Sequence, residues 1–321
     1  MARRRVLNLP ARSWGRLQRN LLRTLYLSMG ITIRSHIALW HVCVAMCMLL
    51  AATPAFAETS RTLDRIRADG VIHLGYRTGA APFSFKERDG SVRGYSVELC
   101  TRVASAIQKQ LRLSKLALDW TPLDAEDRLD AVAKGRVDIE CGTTTISLSR
   151  MERVDFSVPI FVDGATVVGN INSKLGQLSD LTGKKIAVIP GTTTETALKG
   201  MLANLPAKAE IVPVRSGAEG VAQVIRARVD AYAGDRIVLI SLRDASAERD
   251  RLQLLDSDFS YEPYALAVGR DDPDFRLAVN RALVELYRSG EIDMIFYRWL
   301  GGLGRPGPLL HSMFYLNTLP E

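Results

Sequence analysis

The chain has 321 residues, 47% of them hydrophobic and 24% charged, with a formal net charge of +7. That excess sits at one end. Residues 1–57 hold eight arginines and no Lys, Asp or Glu, so removing 8 from 42 basic residues leaves 34 against 35 acidic ones, −1 net. A near-neutral body excludes a basic surface for nucleic acid. Its two remaining histidines, His73 and His311, exclude a histidine cluster suited to zinc.

Residues 1–57 read as a targeting segment. Arginines precede an apolar run over 37–52 and then Ala55-Phe56-Ala57, the pattern of a cleaved signal peptide. The run is short for a membrane span, which needs roughly 20 residues. Met29 is a second candidate start, followed by Arg34 and the same run. The expected location is the periplasm. Cys43 and Cys47 leave with the leader, whereas Cys100 and Cys141 stay. An exported chain with two cysteines can form one disulfide, and the sequence leaves that pairing open.

From residue 71 onward, strand-like and helical runs alternate, the signature of an α/β protein. Residues 71–76 are a predicted strand. Residues 95–111 are a predicted helix, with Leu99, Val103, Ile107 and Leu111 on one face. A strand over 115–121, a helix over 125–133 closed by Gly135, and a buried strand over 137–141 follow. A second series begins near residue 165. It runs through a strand at 185–189, a helix capped by Thr192 or Thr193, a strand at 211–214, a helix at 218–227 and a strand at 229–233. Asp235 stands just after that strand. A strand over 264–269 and helices over 273–288 and 291–300 finish the pattern, and the Gly/Pro-rich tail shows no periodicity.

Segments 160–169 and 261–269 flank the middle series on both sides, as a chain leaving a first lobe and returning to it requires. The expected architecture is therefore a two-lobed α/β fold. Lobe I comprises 58–164 and 260–321, lobe II comprises 165–259, and a ligand cleft lies between lobes joined by two crossing strands.

The stretch 141–150, Cys-Gly-Thr-Thr-Thr-Ile-Ser-Leu-Ser-Arg, is equipment for gripping an anion. Hydroxyls and backbone N–H groups follow a predicted strand, and Arg150 can bring a planar guanidinium to a carboxylate. A helix N-terminus at Thr192 offers further donors and a favourable dipole. Nothing else reads as catalytic machinery, and Cys141 has no histidine near it to activate a thiolate.

Taken together, Pro82-Phe83-Ser84-Phe85, Gly94-Tyr95-Ser96, Arg128, residues 138–150, Gly191-Thr192-Thr193, Asp235 and residues 292–300 carry a resemblance covering most of 60–300. The chain is similar to the extracellular solute-binding proteins of the polar amino-acid class, the receptors of ATP-binding-cassette importers. It is most similar to glutamate/aspartate-binding proteins. The resemblance implies a monomer that binds an acidic amino acid, delivers it to a membrane permease, and uses no cofactor or metal. Arg150 would clamp the α-carboxylate with Thr145 and Thr192. Asp235 and Thr143 would take the α-amino group, while Arg77 and Arg128 would reach the side-chain carboxylate.

Each residue also has a plainer reading. Arg150 could pair with Glu152 or Asp155 on the surface, Asp235 could be an ordinary N-cap, Arg77 could lie exposed in a loop, and Arg128 could pair with Asp124. Phe83 and Phe85 could wall the ligand or simply alternate into the core. Counting Arg77, Arg128, Arg150 and Asp235 gives a site of charge +2, suited to an acidic ligand. Two departures point to a less discriminating pocket: similar receptors carry a histidine near the position of Gly217 and a serine near Ala125. A broad-specificity polar amino-acid receptor is the alternative. A dehydratase on the same fold, with Glu140 or Glu195 as acid, is the enzymatic competitor.

Overall fold

The computed structural model of the chain describes residues 60–320, so the targeting-segment reading of 1–57 lies outside the described residues. The helix Arg61–Asp69 opens with Ser60 accepting the Leu63 N–H and ends at Gly70 in the left-handed region, where only glycine is at ease. It leads into the strand Val71–Arg77, the second of five in the first sheet. That strand pairs in parallel with Ala117–Leu123 on one side and Ile139–Glu140 on the other. Ala267–Val268 and Asp155–Phe156 complete the sheet in antiparallel fashion. The predicted strand at 115–121 lies two residues too early, because the register runs from Val71 opposite Ala117 to Arg77 opposite Leu123.

The helices Tyr95–Gln110, Pro273–Arg288 and Glu291–Leu300 bury one face each in a common core with Ile72, Leu74 and Ile139. Fully burying a Leu, Ile or Val there contributes about 1.5–3 kcal/mol. Phe83 belongs to this core, edge-on to Tyr95, Phe161 and Tyr264, and does not line the cleft. The helix Pro308–Leu316, absent from the sequence expectations, packs Leu310, Met313 and Phe314 onto the same core. A disulfide joins Cys100 to Cys141 and fastens the start of the threonine loop to the helix Tyr95–Gln110.

The second sheet has the order Glu210–Pro213, Lys185–Val188, Ala231–Asp235, Ala165–Asn170, Leu252–Leu254. Its first three strands are parallel and the last two antiparallel to their neighbours. Between the sheets run Phe161–Asp163 and Glu262–Tyr264, an antiparallel pair in which Asp163 faces Glu262. The molecule is thus two-lobed with two crossing strands. The continuous strand expected at 264–269 is broken. The Ala265 N–H goes to the Thr144 carbonyl and the Leu266 N–H to Ser157 Oγ, so these residues leave the ladder before Ala267 rejoins it. Among the described residues, no helix is long and apolar enough to cross a membrane.

Candidate functional site

Five of the seven expected residues line one cavity: Arg77, Arg128, Thr143, Thr192 and Asp235, with Thr193, Thr194, Gly217 and Tyr232 beside them. Arg150 and Thr145 line an adjoining cavity with Glu262 and share Thr192 and Thr193 with the first. The seven expected residues thus line two adjoining cavities.

Arg77 ends its strand next to Gly142, and Arg128 opens the helix Arg128–Ala133. Arg128 is 3% exposed, and its Nε finds no hydrogen-bond partner. Neither an exposed loop for Arg77 nor an ion pair of Arg128 with Asp124 describes these positions. Desolvation, and then the neighbouring Arg128 charge, lower the Arg77 guanidinium to about 10. Arg150 is lowered to about 10 by the same two causes, while Glu262 and Glu140 oppose the shift. Both guanidinium groups remain charged at neutral pH. Arg150 Nη1 donates to the Thr145 carbonyl at 2.8 Å, while the carboxylate of Asp155 is taken by Arg276. Its side chain is turned inward and away from the surface pairings.

The threonine loop is shaped by its glycine. A Cβ at Gly142 would come within 2.2 Å of Glu140 Oε1 and 2.6 Å of Arg77 Cγ, so no larger residue fits between them. Thr145 Oγ1 donates to Glu262 Oε2 at 2.5 Å and lies 3.2 Å from Thr193 Oγ1, which also donates to Glu262 at 2.7 Å. These contacts link the first-sheet loop, a crossing strand and a second-sheet helix through one carboxylate. Thr192 is the N-cap of the helix Thr193–Leu202. Its hydroxyl accepts from the Glu195 N–H and donates to the Ile189 carbonyl, so the helix N-terminus must offer an anion its backbone donors instead.

Asp235 occupies the N-cap position of the helix Arg236–Asp244 yet makes no capping bond. It accepts from Thr194 Oγ1 at 3.0 Å, and the Tyr264 hydroxyl lies close by. The ordinary-cap reading fails, because the side chain is turned to the cavity instead. Burial, followed by the nearby Glu262 charge, raises its pKa.

Sequence reasoning passed over Glu262 and Asp163 and named Glu140 only as a candidate acid for the enzymatic competitor. Glu262 is 1% exposed and accepts from Thr145, Thr193 and Ser260. Glu140 is fully buried, and neither of its oxygens has a partner. Asp163 ends the first crossing strand and is raised to about 8 by burial and by Asp235. A charge inside an otherwise apolar strand was the available signal for Glu140. With Glu140 and Glu262 included, the +2 expected for the cluster becomes zero when every group is ionised. Gly217 lines the cavity, and a Cβ there would meet Leu242 at 2.6 Å, so this position offers no side-chain donor. Among the described residues no cluster could hold a metal.

Two lobes joined by crossing strands, with a polar cleft between them, are the architecture of the two-lobed amino-acid-binding proteins. The chain belongs to the bacterial extracellular solute-binding proteins, family 3, whose pattern matches residues 72–302. An L-glutamate/L-aspartate-binding protein of Pseudomonas aeruginosa is 31% identical over 78% of this chain and 83% of its own length. Among solved structures, an ancestral arginine-binding protein bound to glutamine superposes with a TM-score of 0.65 at 27% identity, over 72% of this chain and 98% of its own. An ancestral amino-acid-binding protein, described as a precursor of cyclohexadienyl dehydratase, gives 0.65 at 27% identity over 75% and 99%.

Proposed function

We propose that this chain is the periplasmic receptor of an ATP-binding-cassette importer and that it closes around an acidic amino acid, glutamate or aspartate. The lobes in this reading are 58–164 with 260–321, and 165–259, and the receptor works as a monomer that passes its ligand to a membrane permease. The observation that carries the reading is the pairing, within one cleft, of two desolvated arginines, Arg77 and Arg128, with a carboxylate, Asp235, that declines its capping role.

Arg150 grips the α-carboxylate, aided by the Thr145 hydroxyl once ligand displaces it from Glu262, and by backbone donors at Thr192. Asp235 and Thr143 take the ammonium. Arg77 and Arg128 meet the side-chain carboxylate, and the free Arg128 Nε is a donor waiting for it. Leaving such a guanidinium buried without a partner costs about 3–5 kcal/mol, which favours an acid over an apolar side chain. Closure strengthens these bonds by removing water, and only a ligand that touches both lobes drives it.

Neutral polar amino acids are the second reading, favoured by the buried Glu140 and Glu262, which offset the arginine charge. Binding is reversible in both readings. Glu195, one candidate acid for a dehydratase, is engaged by Lys199 and the Gly191 N–H, which hold it below the usual carboxylate range. Incubation with prephenate is expected to leave that substrate intact, and its loss would move the protein to the enzymes. Calorimetry with glutamate, aspartate, glutamine, lysine and arginine tests the specificity, with equal affinity for glutamate and glutamine refuting the role given to Arg77.

A further inference from the structure

The crossing strands and the end of the strand Ala231–Asp235 place three carboxylates around one phenol. Asp163 lies directly opposite Glu262 in the ladder, and like charges so placed repel. The Tyr264 hydroxyl donates to Asp163 Oδ2 at 3.3 Å and lies beside the Asp235 carboxyl. Glu262 is supplied with three hydroxyl donors and needs no proton of its own. Asp163 accepts from the Gly164 N–H and, at 3.2 Å, from the Ile237 N–H at the start of the helix Arg236–Asp244. A phenol has one proton to give. While that proton serves Asp163, Asp235 can bond to the phenol oxygen only as a protonated acid that donates to it, and the converse holds when the proton serves Asp235.

We infer that Asp163 is a positioning residue for the ligand's ammonium group: it shares one proton with Asp235 through Tyr264, and ligand capture releases that proton. The inference rests on the reading of Asp235 as the ammonium acceptor. Ligand-free, the pair carries one negative charge. An arriving ammonium favours the doubly ionised pair, so the proton departs to solvent as the N–H bonds to Asp235 form. The elevated pKa values of both carboxyl groups accord with this geometry. The proton belongs to the pair and not to either residue.

The charged groups facing the pair fix its balance. Glu262 raises Asp235, whereas Arg128 lowers it. Arg77 and Arg150 also feel Asp235. The side chain of Arg236, next in the chain, is turned to Asp258 instead. Because binding expels a proton, affinity rises with pH while the free pair still holds that proton, and levels off once the free pair has lost it.

The test is calorimetry of the chain with L-glutamate in phosphate and in Tris, whose ionisation enthalpies differ, at several values from pH 6 to 8.5. The expected result is net proton release, approaching one per ligand, with Kd falling up to about tenfold per pH unit. Asp163→Asn keeps a donor toward the phenol but holds no exchangeable proton, so it binds glutamate without release and with a flat profile. Infrared spectra of the ligand-free wild-type protein add a readout that needs neither variant nor ligand. They should contain a protonated-carboxyl carbonyl band at pH 6.5 that vanishes on alkaline titration. Absence of that band, glutamate binding without proton exchange, or undiminished release in Asp163→Asn would each overturn the inference. Failure of every amino acid to bind would instead sink the receptor reading, with the infrared band still deciding whether the proton is shared.

Discussion

The two sides of the cleft rest on sheets of equal strand number yet carry opposite charge. The first lobe supplies all three arginines, from a strand end, a helix start and the short helix Leu148–Met151. The second lobe supplies Asp235 at the end of a sheet strand, with Thr192, Thr193 and Thr194 at a helix start, while Asp163 and Glu262 stand on the crossing strands between the two sides. An α-amino acid has the same polarity, with its carboxylates on one flank and an ammonium on the other. A zwitterion laid across such a cleft touches both lobes with the correct sign, which is the condition for closure. Glu140 is the exception, a carboxylate behind the arginine side.

The sides also differ in how they are held. The first-lobe threonine loop is stapled at Cys141 to the helix Tyr95–Gln110, whereas the second-lobe turn before Thr193 relies on the Thr192 hydroxyl donating to the Ile189 carbonyl and on Glu195 accepting from the Gly191 N–H. The disulfide closes a loop 41 residues apart in sequence, worth about 4 kcal/mol in the chain-entropy account. Reduction, or the double change of Cys100 and Cys141 to serine, should lower stability by about that much in denaturant titration. A smaller loss in a paired change of Thr192 and Glu195 would sharpen the contrast.

Arg150→Ala removes the carboxylate clamp and leaves its partners unpaired. Affinity for every amino acid should fall by more than a hundredfold, on the order of 3 kcal/mol or above. Asp235→Asn strikes the opposite pole and should cost roughly 2–3 kcal/mol with all ligands, measured by the same titration. Unchanged binding in either variant would break the picture of two opposed poles. Arg77→Gln is subtler: the glutamate-to-glutamine affinity ratio should fall by about tenfold, near 1.4 kcal/mol, with little change for glutamine. Glu140→Gln should move that ratio the other way by a few-fold, since it removes a buried negative charge that acts on Arg77 and Arg150. A ratio that falls in Glu140→Gln would mean that its carboxylate aligns the guanidinium groups and does not merely offset their charge.

Much of this polarity was legible in the sequence. The helices Pro273–Arg288 and Glu291–Leu300 fall on the bounds expected for them, and both bury one face against a single core. The arginines stood out because each follows or opens a recognisable element. Asp235 stood out for the same reason, and Glu140 as a candidate acid, whereas Glu262 and Asp163 did not. Glu262 lies between Tyr261 and Pro263, where local pattern cannot tell a buried acid from an exposed one, and only the ladder reveals Asp163 opposite it. The helix Pro308–Leu316 hid in a Gly/Pro-rich tail, although Pro308 after Gly307 is itself a helix-start signal. The break at Ala265 and Leu266 depends on donors lent to Thr144 and Ser157, which no periodicity encodes.

The most direct test is a calorimetric titration of the wild-type protein with L-glutamate, L-glutamine and L-lysine at pH 7.5. Opposed poles with two spare guanidinium groups predict tight glutamate binding, glutamine weaker by about tenfold or more, and lysine weakest of all. Lysine binding more tightly than glutamate, or no heat with any of the three, would contradict the account.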